Sequence, residues 1–172
     1  MVAGATTLIE ILTDVLDLLT NDDSPENCAL PCFCRVAVYP GLEVAWDTCG
    51  EDTCTDCDGQ LWAAIQSVTR NTTFPAGSGC ETFNFTAQIG AVRCAAKPRP
   101  DGSPPSVEAV QNDAIRQALD ADGILSALKC CRERSRRILD AGIVVDSWAP
   151  LGPDGGCVGG AWTISGRFDV CC

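Results

Sequence analysis

Apolar residues over positions 5–20 recur with the period of a helix. Leu8, Leu12, Val15 and Leu19 stand four, three and four residues apart, and Ile9, Ile11, Leu16 and Leu18 widen the stripe. Glu10, Asp14 and Asp17 fall on the wet side, and Asn21 to Pro25 ends the helix. An arc this broad packs either under a sheet or, in part, against another subunit. Leu8, Leu12, Val15 and Leu19 are therefore the candidate subunit interface.

The pattern then changes to period two. Phe33 to Tyr39 alternates and stops at the turn signal Pro40-Gly41. Val44 to Trp46 reads as a short extended piece, and Cys49 to Gly59 as an acidic loop. Leu61 to Val68 is ambiguous by pattern, but the preceding Gly59 and the β-favouring run Thr69 to Phe74 make it a strand. After a turn over Pro75 to Cys80, Thr82 to Cys94 is a long strand. It carries Phe83, Phe85, Ala87, Ile89 and Ala91 on one face and Thr82, Asn84, Thr86 and Gln88 on the other.

Lys97 to Pro105 is an extended connector, and Ser106 is the expected N-cap of a second helix, with Glu108 in its first turn. That helix runs to about Leu119, where Asp120 to Gly123 breaks or weakens it. Helical pattern resumes at Ile124, Leu125 and Leu128. Lys129, Arg132, Arg134, Arg136 and Arg137 gather toward its C-terminus, where cations suit the helix dipole. Gly142 to Trp148 is a strand, Pro150 to Gly160 a loop dense in Gly and Pro, and Trp162 to Val170 a final alternating strand. The order α–β–β–β–α(α)–β–β predicts one α+β domain over residues 1–172, its helices laid on a mostly antiparallel sheet.

Composition narrows the chemistry. The formal net charge is −11, from 23 acidic and 12 basic residues, which opposes phosphate binding and suits simple solubility or a surface that repels DNA. No apolar run approaches the about 20 residues of a membrane span. With no histidine, the chain lacks a triad base and the commonest zinc ligand. No P-loop, GxGxxG or GxSxG is present, no cofactor site is expected, and an enzyme is the least favoured class. The acidic clusters Asp22, Asp23, Glu26 and Glu51, Asp52, Asp56, Asp58 lack an EF-hand pattern. Asn71 to Thr73 and Asn84 to Thr86 match glycosylation acceptors, which count as chance without a leader.

Thirteen cysteines are the strongest compositional signal: Cys28, Cys32, Cys34, Cys49, Cys54, Cys57, Cys80, Cys94, Cys130, Cys131, Cys157, Cys171 and Cys172. A single CxxC at Cys54 and Cys57 is short of the two knuckles of a structural zinc site, and its acidic flanks oppose a redox role. Disulfides are the stronger reading. Cys28 with Cys32 or Cys34, and Cys49 with Cys54 or Cys57, would be local loop closures. A bridge from Cys80 to Cys94 would need the strand to fold back. The adjacent pairs Cys130, Cys131 and Cys171, Cys172 are strained as internal bonds, so each member seeks a different partner. An odd count leaves at least one thiol free or bonded to another chain, and Cys171 and Cys172 are the natural candidates for that contact. The first residues do not read as a secretory leader: no Lys or Arg precedes the apolar part, and acids interrupt it. Oxidisable thiols without a leader point to synthesis in a host cytoplasm and later residence in a virion released by lysis.

Several stretches carry a likeness beyond composition. They are Val38 to Gly41 with Ala45 to Cys49, Gly59 to Trp62 with Val68-Thr69, and Gln88 to Cys94. Pro104-Pro105 before a helix, Cys130-Cys131, and Trp148 to Trp162 complete the set. Together they resemble the head–tail neck and tail-terminator proteins of tailed phages of actinobacteria, from about residue 8 to residue 170. The resemblance implies a small α+β subunit with a long C-terminal β-hairpin, closing a ring that is commonly sixfold. Such a ring caps the tail tube, receives the head connector and lets DNA pass through its lumen. Its partners would be further copies of the chain, the tail tube protein and head–tail connector proteins, with no membrane. A connector (stopper) or minor tail protein is the neighbouring expectation. A cysteine-rich secreted binding module and a small zinc-binding regulator are the expectations from other classes.

Overall fold

A computed structural model describes residues 3–21, 29–41, 43–45, 57–72, 79–154 and 156–171. Helix α1 (Ala3–Thr20) is followed by strands β1 (Arg35–Tyr39), β2 (Gln60–Arg70) and β3 (Cys80–Cys94). Helix α2 (Val107–Ser126) runs into a π-helical turn (Ala127–Cys131), a 3-10 turn (Arg132–Arg134) and the short α3 (Arg136–Ala141). Strands β4 (Val144–Asp154) and β5 (Cys157–Cys171) complete the chain. The five strands form one sheet in the order β1-β2-β3-β5-β4, with β1 and β2 parallel and every other pair antiparallel. The architecture is α+β, as the alternation of patterns predicts.

The helices lie on one face of this sheet. Phe85, Ala87, Ile89 and Ala91 of β3, the expected inward set, are buried there with Leu61, Ala63, Ile164 and Phe168. Helix α1 packs its stripe against them, all but the exposed Ile9, so the broad arc is mainly a core surface. Leu8, Leu12, Val15 and Leu19 are 1%, 0%, 0% and 0% exposed, which overturns their assignment to a subunit interface. Their periodicity was a true signal of burial, but the sheet of the same chain supplies the cover. The opposite sheet face carries Trp62, whose indole fills the space a side chain at Gly90 would need, with Ala64, Ala161, Tyr39, Val44 and Leu151 around it.

Two other expectations change. Asp120 to Gly123 does not interrupt α2, which stays helical through Gly123, where Leu30 occupies the room a Cβ would take. Of the extended piece expected over Val44 to Trp46, Val44 and Ala45 lie outside the sheet, with Val44 covering the Trp62 cluster, and Trp46 lies outside the described residues. Pro150 to Gly160 is a hairpin, not a loop: β4 continues to Asp154, and β5 begins at Cys157. The prolines fit because β4 is an edge strand, where a missing N–H removes no bond the sheet requires. Two register shifts in the β4–β5 ladder, at Val145/Ser147 and Leu151/Asp154, accommodate the irregular stretch.

Candidate interaction surface

Helix α2 starts as its sequence dictates. Ser106 is extended, and its side chain accepts from the Ala109 N–H at 3.1 Å, while Glu108 sits in the first turn. From that turn to Asp120 the helix turns polar side chains to the protein and several apolar ones to solvent, before Ile124 enters the core. The side turned to the protein is polar: Asp113 accepts from the Ala96 N–H at 2.7 Å, Gln117 donates to the Gly159 carbonyl, and Asp120 is buried. The side turned to solvent carries apolar residues among the exposed polar Gln111, Asn112, Arg116 and Asp122. Val107, Val110, Ile115 and Leu119 are 75%, 53%, 57% and 64% exposed, with Ala114 and Ala118 open between them. At helical spacing these residues share one arc of about 180°. Four large apolar side chains exposed on one helix make this face a candidate contact surface.

The polar side is fastened by Arg93. Its Nε donates to Asp120 Oδ2 and its Nη2 to Asp120 Oδ1, both at 2.9 Å. Nη1 donates to the carbonyls of Cys32 and Asp58 at 3.0 and 2.9 Å, and the guanidinium stacks 3.7 Å from the centre of the Phe33 ring. One buried cation therefore joins β3, α2 and the two segments that flank β1 and β2. Beside it, Asp58 accepts from the Cys94 N–H at 3.0 Å and from Arg116 of α2 at 2.9 Å. Burial pushes the Asp58 carboxyl up. Hydrogen bonds from the Cys94 thiol and backbone, then the charges of Arg116 and Arg93, outweigh this and hold its pKa below the ordinary 3.8.

These side chains border a cleft of about 630 Å³, walled by Leu30, Cys32, Cys57, Asp58, Arg93 and Asp120. A second cleft of about 710 Å³ opens where α1 and α3 meet the ends of β3 and β5, with Arg70, Arg137, Arg167, Glu81, Asp140 and Asp169 around its mouth. Arg137 lies in the first turn of α3, not at a helix C-terminus as its place in the basic cluster suggested. There the dipole opposes a cation, and Glu10 at 3.6 Å and Asp14 at 3.4 Å on α1 offset it. Ser135 caps α3 and also donates to Asp14 at 2.7 Å, so α3 is tied to α1 by polar as well as apolar contacts.

The cysteines pair at longer range than local loop closure predicts. Cys32 bonds to Cys57 across 25 residues and Cys80 to Cys171 across 91. Cys57 thus joins neither Cys49 nor Cys54, and Cys171 closes a bond within its own chain instead of reaching a neighbour. Register is the reason: Cys80 and Cys171 stand opposite one another at one end of the β3–β5 ladder, with Cα atoms 4.0 Å apart. Cys34 and Cys131 are disulfide-bonded as well. Cys130, Cys94 and Cys157 are thiols, so Cys130 and Cys131 are not bonded to each other, and of the two only Cys131 has a disulfide partner. Cys28, Cys49, Cys54 and Cys172 lie outside the described residues. So do the acidic positions Asp22, Asp23, Glu26, Glu51, Asp52 and Asp56. Among the described residues no group of His, Cys, Asp and Glu could hold a metal ion, and no helix is long and apolar enough to cross a membrane.

The exposed arc of α2 and the Arg93–Asp120 pair were both missed by sequence reasoning. A usable signal existed: Asp113, Gln117 and Asp120 recur at four and three residues, a polar stripe with the spacing of a buried face. No protein-family model matches the chain, and no curated protein matches it.

Proposed function

We propose that this chain is a structural subunit of a tailed-phage virion, the tail terminator that forms a ring at the head–tail junction. The observation that carries the ring is the exposed apolar arc of α2, Val107, Val110, Ile115 and Leu119, on a helix whose polar side is spent on its own sheet. Ring closure is heterologous, so this face meets a different surface of the next copy. Exposed apolar side chains on other elements, Ile9 on α1, Leu139 on α3 and Val144 at the start of β4, offer material for that complement. The station in the virion rests on the sequence resemblance. In such a ring a net charge of −11 disfavours retention of passing DNA, and the disulfides make each subunit resistant to unfolding under load.

Native mass spectrometry and sedimentation of the purified chain at rising concentration test the contact. A closed ring, sixfold in the tail-terminator reading, is expected for the wild type. Val110→Glu with Leu119→Glu should leave a folded monomer with an unchanged circular dichroism spectrum. A wild-type ring that survives both substitutions removes α2 from the interface. Antibody labelling of intact particles tests the station: density at the head–tail junction is expected, and label confined to the tail tip or capsid would overturn it.

A further inference from the structure

We infer that Cys94 and Cys157 are the two ends of a further cross-strand disulfide, which a low-molecular-weight disulfide closes in the folded protein. The two residues are direct partners in the β3–β5 ladder. The ladder runs without a register shift from Cys80↔Cys171 to Cys94↔Cys157, so the pairs fourteen residues apart share the same face and the same pairing type. That type is fixed twice. The Cα atoms of Cys80 and Cys171 are 4.0 Å apart, the close spacing of a non-hydrogen-bonded pair. Next to the other pair, the Ala95 N–H donates to the Gly156 carbonyl at 2.7 Å, so the hydrogen-bonded position is Ala95 with Gly156, and Cys94 with Cys157 is again non-hydrogen-bonded. Side chains come closest at such positions, within the span a disulfide needs. Both are thiols, and Cys94 packs on the small buried cluster of Cys157 and Val92.

The two thiols divide the work by exposure. Cys157 is fully buried and Cys94 half-buried, so Cys94 meets the reagent first. Its thiolate attacks one sulfur of the small disulfide, forming a mixed disulfide and expelling one small thiol. The Cys157 thiolate then attacks the Cys94 sulfur, forming the Cys94–Cys157 bond and expelling the second small thiol. The protein loses two hydrogens and two electrons, and the reagent disulfide gains them. The strand pair is then stapled at both ends. The thiol proton that Asp58 accepts from Cys94 is also gone, which withdraws one of the interactions lowering its pKa.

The test exposes the native protein to graded oxidised glutathione and reads it by intact mass and non-reducing peptide mapping. A peptide linking Cys94 to Cys157 is expected, with the Cys32–Cys57 and Cys80–Cys171 bonds retained. The thermal midpoint should rise by roughly 5–10 °C. Cys157→Ala should stop at one glutathione on Cys94, and Cys94→Ser should take up none at Cys157. Recovery of both positions as alkylatable thiols after oxidation would overturn the inference. So would a wild type that halts at the mixed disulfide, or either cysteine joined to a different partner.

Discussion

Arg93 holds more of the interior together than its single charge suggests. Its guanidinium meets both oxygens of Asp120, the carbonyls of Cys32 and Asp58, and the Phe33 ring, with both ionic partners almost wholly buried. A buried pair of this kind contributes little over an apolar pair of equal shape, but breaking it strands a charge. Asp120→Asn should therefore lower unfolding stability by about 3 kcal/mol. Arg93→Met should cost at least as much, since it also leaves two carbonyls without their donor. Equilibrium urea unfolding distinguishes these from a neutral exchange. Asp58, next to it, sets a pH dependence. Its folded pKa lies below the ordinary 3.8, so it stabilises the fold at higher pH and loses that contribution as pH falls through its folded pKa. The stability gap between wild type and Asp58→Asn should be constant near neutrality and should narrow as pH falls below the ordinary carboxylate range and through the lower folded pKa. A gap that widens on acidification would reverse the sign.

The elements differ in how much their own residues decide. Helix α1 and strand β3 announce themselves because their apolar periods match the backbone geometry that forms them, and Ser106 marks the start of α2 by chemistry local to one turn. Ser106→Ala should cost about 1 kcal/mol in thermal or urea unfolding, the usual loss of a cap. The C-terminal hairpin was expected, but the reach of β4 and β5 through Pro150 to Gly160 was hidden for the opposite reason. Pro150, Pro153 and the glycines around Cys157 are loop-like by propensity, and only the place of β4 at the sheet edge makes them strand residues. The basic run Lys129 to Arg137 misled in a similar way. Read as the end of one helix it complements a dipole, but a π turn, a 3-10 turn and a fresh helix start divide it, and Arg137 depends on acids of α1.

At the scale of the molecule, covalent links follow the sheet. The Cys80–Cys171 bond ties the beginning of β3 to the end of β5 and closes a loop of 91 residues. Cys80→Ser should lower stability by about 4 kcal/mol, read as a denaturation midpoint with the Cys32–Cys57 bond intact. A shift below a tenth of that would mean the unfolded chain is already constrained there. The same packing decides which surface is left for partners. Because α1 spends most of its apolar stripe on the core, the proposed ring contact is placed on α2, whose polar stripe faces inward to Arg93 and β5. A substitution that tests the proposed ring therefore belongs on α2, whereas Leu12→Ala would test only folding.

The residue order alone determined the class of fold, the extents of α1 and β3, the inward face of β3 and the cap of α2, since each depends on neighbours within a few positions. The tertiary structure decided what covers the α1 stripe, which side of α2 meets solvent, and which cysteine finds which. Periodicity states that a face is buried, not by what. Cys80 meets Cys171 and Cys32 meets Cys57 only once sheet register and the Arg93 contacts have brought distant segments together. The reach of a local pattern ends where docking between remote segments begins, because the energy that selects a partner there resides in neither segment alone.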